Sequence, residues 1–417
     1  WVSHNAENGD NRSADELIDD FDKHYKAIKD AEKDLYNTPD RHLDNAENKK
    51  KEATLQKAID TFLDKMPKVF DPFAGGGAIP LEAARLGCRS YANDLNPVAH
   101  IIEKGSCEFP QKYGKPITYS KDAFIKIYGK DEFERIRGEH KVKNIDGKEY
   151  VEIENRLSYD VEYYAKKMLK MVEIEIGHLY PADKDGNKPV AYYWARVGIC
   201  SNPSCKAEVP LLRQFYLVNK PDKKVYLKPI VKGNTIRFEI ANGIFDEEGW
   251  TSRGNLKCPC CNNITDTNIL KQQFAENSIT EKMLAVIYDS DKGKIYKLPT
   301  KDEKEILNQI PDIDGRPTEA MSTAYTRALT LCLWNISQWG QMFSNRQLLA
   351  MLIFVKKINE IKDIIKNGRE VLNSYEKAVI TMLSIWIDKI VLRMTSYGII
   401  DTGRETIVYP FGRQAIP

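Results

Sequence analysis

The segment that most constrains the fold is Lys68–Pro80, which reads KVFDPFAGGGAIP. Val69 and Phe70 end a short apolar strand, and three consecutive glycines follow it. Glycine permits positive φ angles and lets a ligand approach the backbone closely. Pro80 is tolerated in the first turn of a helix, and Gly87 suits the left-handed cap that ends one. The segment therefore predicts a strand, a glycine loop and a helix in direct succession.

A second strand and an acid follow that helix. Cys88 to Ala92 form the predicted strand, Asp94 comes just after it, and Asn96 precedes the proline that starts the next helix. In open α/β sheets, ligands bind where the first strand ends and the helix begins. A carboxylate at the end of the second strand can accept hydrogen bonds from two ribose hydroxyls. The combination predicts a site for a nucleoside cofactor.

Two kinds of nucleoside cofactor are compatible with a glycine loop after a strand. A dinucleotide fold is the rival, but Pro80 stands where the third glycine of its Gly-x-Gly-x-x-Gly pattern is expected. The Asp71-Pro72-Phe73 lead-in instead favours S-adenosylmethionine, which has no pyrophosphate to bind. We therefore expect S-adenosylmethionine as the cofactor.

Two cysteine pairs predict a metal centre. Cys200 and Cys205 form a C-x4-C loop, while Cys258 and Cys261 form a C-x2-C loop. Two such loops complete the tetrahedron of thiolates that holds structural zinc. Cys260 with a neighbour is an alternative in the second loop, although the x2 spacing favours Cys258 and Cys261. A catalytic zinc is not expected, because no histidine lies near either loop and four thiolates leave no open position.

The remaining cysteines and the basic residues near the metal loops have less specific interpretations. Cys88, Cys107 and Cys332 lie in apolar elements and are expected to be core thiols. The segment between the cysteine pairs is basic and contains interleaved aromatic residues. It fits either phosphate contact with base stacking or an ordinary solvated β-meander. Its relevant residues are Arg213, Lys220, Asp222, Lys223, Lys224, Lys228, Lys232 and Arg237, with Phe215, Tyr216 and Tyr226.

The glycine segment resembles the first motif of amino-group DNA methyltransferases. With Ile79–Ala83 and Asn93–Ala99 it is similar to one family in particular, the adenine-specific DNA methylases that contain a zinc ribbon. The resemblance covers most of the chain from about residue 67 onward. It also includes Trp194–Arg196, Val209–Arg213, Gln338–Gly340, Asn345–Ala350 and Phe411–Pro417.

The resemblance implies a fold, a site and a domain order. The fold is α/β, a Rossmann-like S-adenosylmethionine methyltransferase sheet with an inserted β-rich zinc ribbon and a helical region. Asp71, Phe73, Gly75 and Gly77 would line the methionine and adenosine part of the cofactor, and Asp94 would hold the ribose. The full predicted cofactor site is Asp71, Pro72, Phe73, Ala74, Gly75, Gly76, Gly77, Asp94 and Asn96.

The predicted organisation has five consecutive parts. Residues 1–66 form a charged helical segment, 67–120 the cofactor half of the methyltransferase domain and 121–190 a helical connection. Residues 191–275 form the zinc-ribbon insert, and 276–417 form a mostly helical region leading to the catalytic half. Long apolar-periodic helices are predicted over Ser158–Ile176, Asn345–Ile365 and Ser374–Met394.

One expected element of an amino-group methyltransferase does not occur in the sequence. Such enzymes use an Asp/Asn-Pro-Pro-Tyr/Phe loop to accept the amino protons and stack on a flipped base. Neither Asn96-Pro97-Val98 nor Asn202-Pro203-Ser204 qualifies. In the family this loop follows the Phe-Gly-Arg-Gln-Ala segment, so we expect this chain to be a fragment that binds cofactor weakly and does not turn over.

The expected function is methyl transfer from S-adenosylmethionine to the exocyclic amino group of adenine in DNA. One alternative is an RNA or protein methyltransferase, and another is a non-catalytic zinc-ribbon subunit that binds DNA. The formal charge is only +2, so DNA contact must come from a local patch. Expected partners are DNA and other subunits of a restriction or phage-defence system. The sequence contains no stretch of about 18 apolar residues, so no membrane span is predicted. A cytoplasmic location is expected.

Overall fold

The computed structural model describes residues 1–139, 141–310, 312–321 and 330–408, and the predicted family segment Phe411–Pro417 lies outside them. The protein is mixed α/β with several small sheets. It divides into two compact units, the first containing residues 1–167 with 360–386 and the second containing 168–359 with the chain from 387 onward. The boundaries fall within three long helices.

The first unit begins with helices and alternates helices with short strands. Its helices are α1 (Val2–Glu7), α2 (Ala14–Tyr36), α3 (Ala46–Leu63), α4 (Ala78–Arg85), α5 (Pro97–Glu103), α6 (Phe109–Tyr113), α7 (Lys121–Tyr128), α8 (Lys130–Gly138) and α9 (Arg156–Ile176), the last continuing into the second unit. Its strands are β1 (Lys68–Asp71), β2 (Arg89–Ala92), β3 (Ile117–Ser120), β4 (Val142–Ile145) and β5 (Lys148–Ile153).

The second unit is richer in strands. Its strands are β6 (Pro189–Ile199), β7 (Glu208–Pro210), β8 (Tyr216–Asn219), β9 (Lys224–Lys232), β10 (Thr235–Asn242), β11 (Thr251–Ser252), β12 (Asn255–Lys257), β13 (Ile264–Thr265), β14 (Thr280–Tyr288), β15 (Ile295–Lys297), β16 (Ile399–Asp401) and β17 (Thr406–Val408). The remaining helices are α10 (Thr267–Ala275), α11 (Lys301–Asn308), α12 (Asn345–Lys366) and α13 (Ser374–Val391), of which α12 and α13 each cross a unit boundary.

The predicted helices form at the positions that their apolar periodicity indicates, and side chains cap their N-terminal ends. Helices α2 and α3 lie in the N-terminal segment that the sequence predicts to be charged and helical. Ser13 caps α2 through a capping box with Glu16, which satisfies backbone donors that the first helical turn leaves free. Helices α9, α12 and α13 likewise confirm the three long helices expected downstream.

The glycine loop connects the two strands of a small parallel sheet. Strands β1 and β2 pair in parallel with Val69 opposite Ser90, and α4 makes the crossover between them. Within the described residues this sheet has two strands. Strand β3, which falls in the predicted cofactor half, pairs instead with β5 in a separate antiparallel sheet. Its alternate residues Ile117 and Tyr119 are buried in the core against Val151, and this burial decides the pairing.

The β-rich region of the second unit extends beyond the predicted insert. A four-stranded antiparallel sheet has the order β15-β14-β6-β7, so strands after residue 275 complete it. Two three-stranded sheets have the orders β8-β9-β10 and β11-β12-β13. One hydrophobic core, including Val209, Leu217, Leu227 and Leu256, lies among these strands and fixes the segments that carry the cysteine pairs.

Candidate cofactor loop and metal centre

The loop after β1 folds back on the end of β2 through backbone hydrogen bonds. The N–H of Ala74 donates to the carbonyl of Asn93 at 3.0 Å, and the N–H of Asn93 donates to the carbonyl of Asp71 at 3.0 Å. The Asp71 carboxylate accepts the N–H of Phe73 at 3.1 Å. Gly75 has φ +57° and Gly77 φ +84°, values that glycine adopts without steric cost. Together these bonds hold the loop at the carboxyl ends of both strands.

Asp94 joins the glycine loop directly. Its Oδ2 accepts the N–H of Gly75 at 2.9 Å, and its Oδ1 accepts the N–H of Asn96 at 2.8 Å. These backbone donors, that of Asn96 first, lower the pKa of Asp94, so the carboxylate is ionised at neutral pH. Asn96 in turn caps α5 by accepting the N–H of Val98 at 3.0 Å. The structure thus brings the predicted Asp71–Gly77 segment together with Asp94 and Asn96.

The outer side of the glycine loop is open, while its inner side is packed. A Cβ placed on Gly75 or Gly76 would meet no heavy atom within 4 Å. A Cβ on Gly77 would lie 2.9 Å from the sulfur of Cys107, whose thiol donates to the Gly77 carbonyl at 3.4 Å. Phe73, at the start of the loop, is 76% exposed. A ligand could therefore reach the backbone of the loop from the solvent side without displacing a side chain.

The four cysteines predicted as metal ligands lie together in the second unit. Cys200, Cys205, Cys258 and Cys261 have sulfur atoms that all lie within 4.8 Å of one another. The closest sulfur pairs are Cys200 with Cys261 at 3.6 Å and Cys205 with Cys258 at 3.8 Å. A tetrahedron with Zn–S bonds of 2.3 Å has sulfur-to-sulfur edges of roughly 3.8 Å. The group could hold a metal ion, and its dimensions suit zinc.

Each cysteine pair lies in a tight turn that continues from a strand. Cys200 directly follows β6, and the N–H of Cys205 donates to the Asn202 carbonyl at 3.0 Å. Cys258 directly follows β12, and its N–H donates to the Asn263 carbonyl at 2.9 Å. Lys206 and Asn262 have φ of 45° and 60°, which closes both turns.

The thiols of the cluster differ in burial and in backbone hydrogen bonding, and therefore in pKa. Cys200 and Cys258 are buried, whereas Cys205, Cys260 and Cys261 are partly exposed. Burial raises the pKa of Cys200 to about 12, while the N–H of Asn263 lowers the pKa of Cys261 to about 7. Cys260 lies outside the group of four. Of the two sets left open by the sequence, the geometry therefore selects Cys258 with Cys261.

The basic segment between the cysteine pairs resembles an ordinary meander more than a base-stacking surface. Phe215 is 1% exposed and Tyr226 is 9% exposed, and both pack in the core rather than facing solvent. The amines of Lys220 and Lys223 form ion pairs with Glu405 at 2.6 and 3.0 Å. The interpretation as an ordinary β-meander is thus favoured for these residues, because their rings and charges already have protein partners.

One polar group that the sequence did not reveal lies in the core of the first unit. Asp160 is buried and accepts the hydroxyl of Tyr128 at 2.5 Å and that of Tyr375. The guanidinium of Arg156 lies 3.8 Å from the same carboxylate and 3.9 Å from the Tyr375 ring centroid. Nothing in the spacing of these residues indicates that they meet, since Tyr375 is distant along the chain.

Comparisons of this chain with protein-family models, curated proteins and solved structures find no match. In the part of the chain that the structure describes, no helix combines the length and apolar character needed to span a bilayer.

Proposed function

We propose that this chain belongs to an S-adenosylmethionine-dependent methyltransferase that acts on the exocyclic amino group of adenine in DNA. The observation that carries the proposal is the hydrogen bond from the Gly75 N–H to the Asp94 carboxylate. It brings an ionised acid and an open glycine backbone to one edge of a parallel strand pair. The acid suits ribose hydroxyls, and the open glycine backbone suits the close approach of a nucleoside.

The residues around the loop suit a sulfonium nucleoside better than a dinucleotide. A pyrophosphate would require several free N–H groups, yet the Gly75 N–H already donates to Asp94. The same carboxylate retains acceptor capacity for hydroxyls, because each oxygen accepts only one protein hydrogen bond among the described residues. Phe73 supplies an exposed ring beside the loop. When bound, S-adenosylmethionine supplies an electrophilic methyl group.

The assignment to DNA adenine rests on the resemblance to zinc-ribbon adenine methylases. We propose that Cys200, Cys205, Cys258 and Cys261 hold a structural zinc within a ribbon, and that this region helps to hold DNA. The buried position of Cys200 and Cys258 supports a structural role, since the ion would crosslink two strand ends from inside the core. The wider Rossmann-like sheet of such enzymes is part of the same proposal.

Titration calorimetry with S-adenosylmethionine and S-adenosylhomocysteine tests the cofactor assignment. Asp94→Ala should weaken binding about 10- to 100-fold, as expected for loss of hydrogen bonds to a charged group. Glu82→Ala is the matched control, because Glu82 lies on α4 of the same unit and, among the described residues, pairs only with Arg85. Equal affinity in wild type and Asp94→Ala would remove Asp94 from the site.

In a protein that contains this chain together with an Asp/Asn-Pro-Pro-Tyr/Phe loop, transfer of a tritiated methyl group in the presence of duplex DNA, RNA or protein tests the acceptor. The proposal predicts label in adenine of DNA only. Label in RNA or protein would favour the alternative methyltransferases. Salt-dependent DNA binding without affinity for S-adenosylmethionine would favour a non-catalytic zinc-ribbon subunit, an alternative that the closely grouped cysteines support.

A further inference from the structure

A large cavity in the second unit has no role in the function proposed above. Its volume is about 730 Å³, within the range of pockets that hold small organic ligands. Residues from β6, the start of α12 and the segment after α13 line it. Tyr180, Tyr192 and Trp194 give it an aromatic wall. The cavity therefore has both the size and the apolar surface for a planar ring.

A buried arginine lines this cavity, and the part of the chain that the structure describes gives it no carboxylate partner. Arg346 is 7% exposed, and its guanidinium lies 3.9 Å from the Tyr192 ring centroid and 4.9 Å from that of Tyr180. Its Nη1 donates to the Leu179 carbonyl at 3.3 Å. Among the described residues no acidic side chain forms an ion pair with Arg346. A buried guanidinium in this condition is stabilised when an anion binds beside it.

Two further polar groups in the cavity wall lack partners. The Tyr192 hydroxyl and the Thr395 Oγ1 are buried, and neither meets a hydrogen-bond partner in the described part of the chain. Buried polar atoms are nearly always hydrogen-bonded in folded proteins. Both residues belong to the cavity lining, so these unsatisfied groups lie beside the cavity.

The charges around the cavity also favour an anion. Arg196, Arg213 and Arg393 line it together with Arg346, whereas Glu281 is the acidic residue among the lining side chains. Glu281 lies 3.7 Å from the guanidinium of Arg196 and so balances one arginine. The N-terminus of the 22-residue helix α12 adds the positive end of its dipole. The arginines of the lining therefore carry more positive charge than its acidic side chain can balance.

We infer that this cavity binds a small nucleoside phosphate, with the phosphate at Arg346 and the base against the aromatic wall. Guanidinium groups present a planar fork that matches phosphate oxygens in two hydrogen bonds. The Arg346 guanidinium already covers a face of Tyr180 and of Tyr192, so Trp194 provides the flat surface for a base. This site is distinct in its residues from the loop at Gly75 and Asp94, and it does not depend on the methyltransferase proposal.

Calorimetric titration of the chain with ADP, adenosine and inorganic phosphate tests the inference. ADP should bind at least about tenfold more tightly than either fragment, because it alone contacts both the arginines and the rings. Phosphate that binds as tightly as ADP would overturn the nucleoside part of the inference. A single-stranded oligonucleotide that binds while ADP does not would overturn the small-ligand assignment.

Variants separate this site from the cofactor loop. Arg346→Gln should weaken ADP binding at least about tenfold. The double variant Arg213→Ala/Arg393→Ala should weaken it similarly, and it changes only exposed side chains, so folding is preserved. Arg237→Ala is the control, since Arg237 is exposed on β10 and does not line the cavity. Asp94→Ala should leave ADP affinity unchanged. ADP binding that survives the arginine variants, or that is lost in Asp94→Ala, would contradict the inference.

Discussion

The cysteine group and the glycine loop are built in opposite ways. The cysteines lie beside a packed core, where Val209, Leu256 and Cys258 are fully buried. The glycine loop lies on two parallel strands whose neighbours Phe70, Leu86 and Leu95 are 63%, 72% and 87% exposed. Parallel sheets in folded proteins are normally covered on both faces. The cysteine group therefore has its supporting core in the described chain. Around the glycine loop, by contrast, much of the apolar surface is exposed.

The difference indicates how each site obtains its geometry. The four thiols lie at the ends of strands that pack in one hydrophobic core, and four sulfurs this close together favour a bound metal. The glycine loop is held by backbone hydrogen bonds and by Asp94, so its local shape needs little tertiary support. We therefore expect changes at the metal centre to affect stability strongly, and changes around the loop to affect binding instead.

The largest effect is expected from replacing one of the four cysteines that we propose to bind zinc. Cys258→Ser should abolish binding of one zinc per chain and destabilise the second unit by at least about 5 kcal/mol, since metal binding contributes directly to folding. Zinc content by mass spectrometry and thermal unfolding measure this. Cys260→Ser should keep the zinc, because Cys260 lies outside the group. Retention of zinc in Cys258→Ser, or its loss in Cys260→Ser, would contradict the ligand set.

A smaller but still large effect is expected in the core of the first unit. Asp160→Ala should lower the free energy of unfolding by about 3–5 kcal/mol, because it leaves the partly buried Arg156 guanidinium without its counter-charge and the buried Tyr128 hydroxyl without its acceptor. Urea denaturation provides the measurement. Glu162→Ala, on the same helix but exposed and paired within the described chain only with Lys166, should change stability by less than about 0.5 kcal/mol. Similar values for both variants would show that the Asp160 network contributes nothing.

Two leucines compare the regions directly. Leu256→Ala, in the core beside the cysteines, should destabilise by about 2–5 kcal/mol. Leu86→Ala, at the C-terminal end of α4 in the strand-helix-strand unit that carries the glycine loop, should change stability by less than about 0.5 kcal/mol because the side chain is already exposed. Denaturant titration of both variants measures the contrast. A costly Leu86→Ala would mean that this surface is covered in solution.

The smallest effect is a pH dependence at Glu405. Burial opposes ionisation there, but Lys220, Tyr296 and Lys223 outweigh it and hold the pKa of Glu405 at about 2. Because the pKa is lower in the folded than in the unfolded chain, ionised Glu405 stabilises the fold above about pH 4.5 and this contribution is lost as the pH falls towards 2. Glu405→Gln should therefore be about 2 kcal/mol less stable at pH 7 and nearly equal to wild type at pH 2. An equal difference at both pH values would contradict this role.

The sequence predicted local features well because their signals are local. The caps and apolar period of α2, α12 and α13 lie within the helices themselves, and the cysteine spacing lies within two turns. Pairing between distant segments was not predictable in the same way. Strand β3 pairs with β5, and apolar residues of both strands share one core. No local sequence pattern indicates this pairing.

The unpredicted functional groups share one property. Arg346, Tyr192 and Thr395 meet in one cavity although they lie far apart in the chain. Likewise, Phe215 and Tyr226 are aromatic residues in a basic segment, but in the folded chain both side chains are buried in the core. Spacing along the chain predicts contacts within a helix or turn, whereas burial of a particular side chain depends on which elements pack together.

Hydrogen–deuterium exchange across residues 71–77 is the most direct test of the cofactor loop. With saturating S-adenosylhomocysteine, the amide of Gly76 should become protected, and NADH at the same concentration should leave it unchanged. In Asp94→Ala, the same protection should require an about 10- to 100-fold higher concentration of S-adenosylhomocysteine. If S-adenosylhomocysteine gives no protection there, or if NADH protects the Gly76 amide equally, the loop is not an S-adenosylmethionine site.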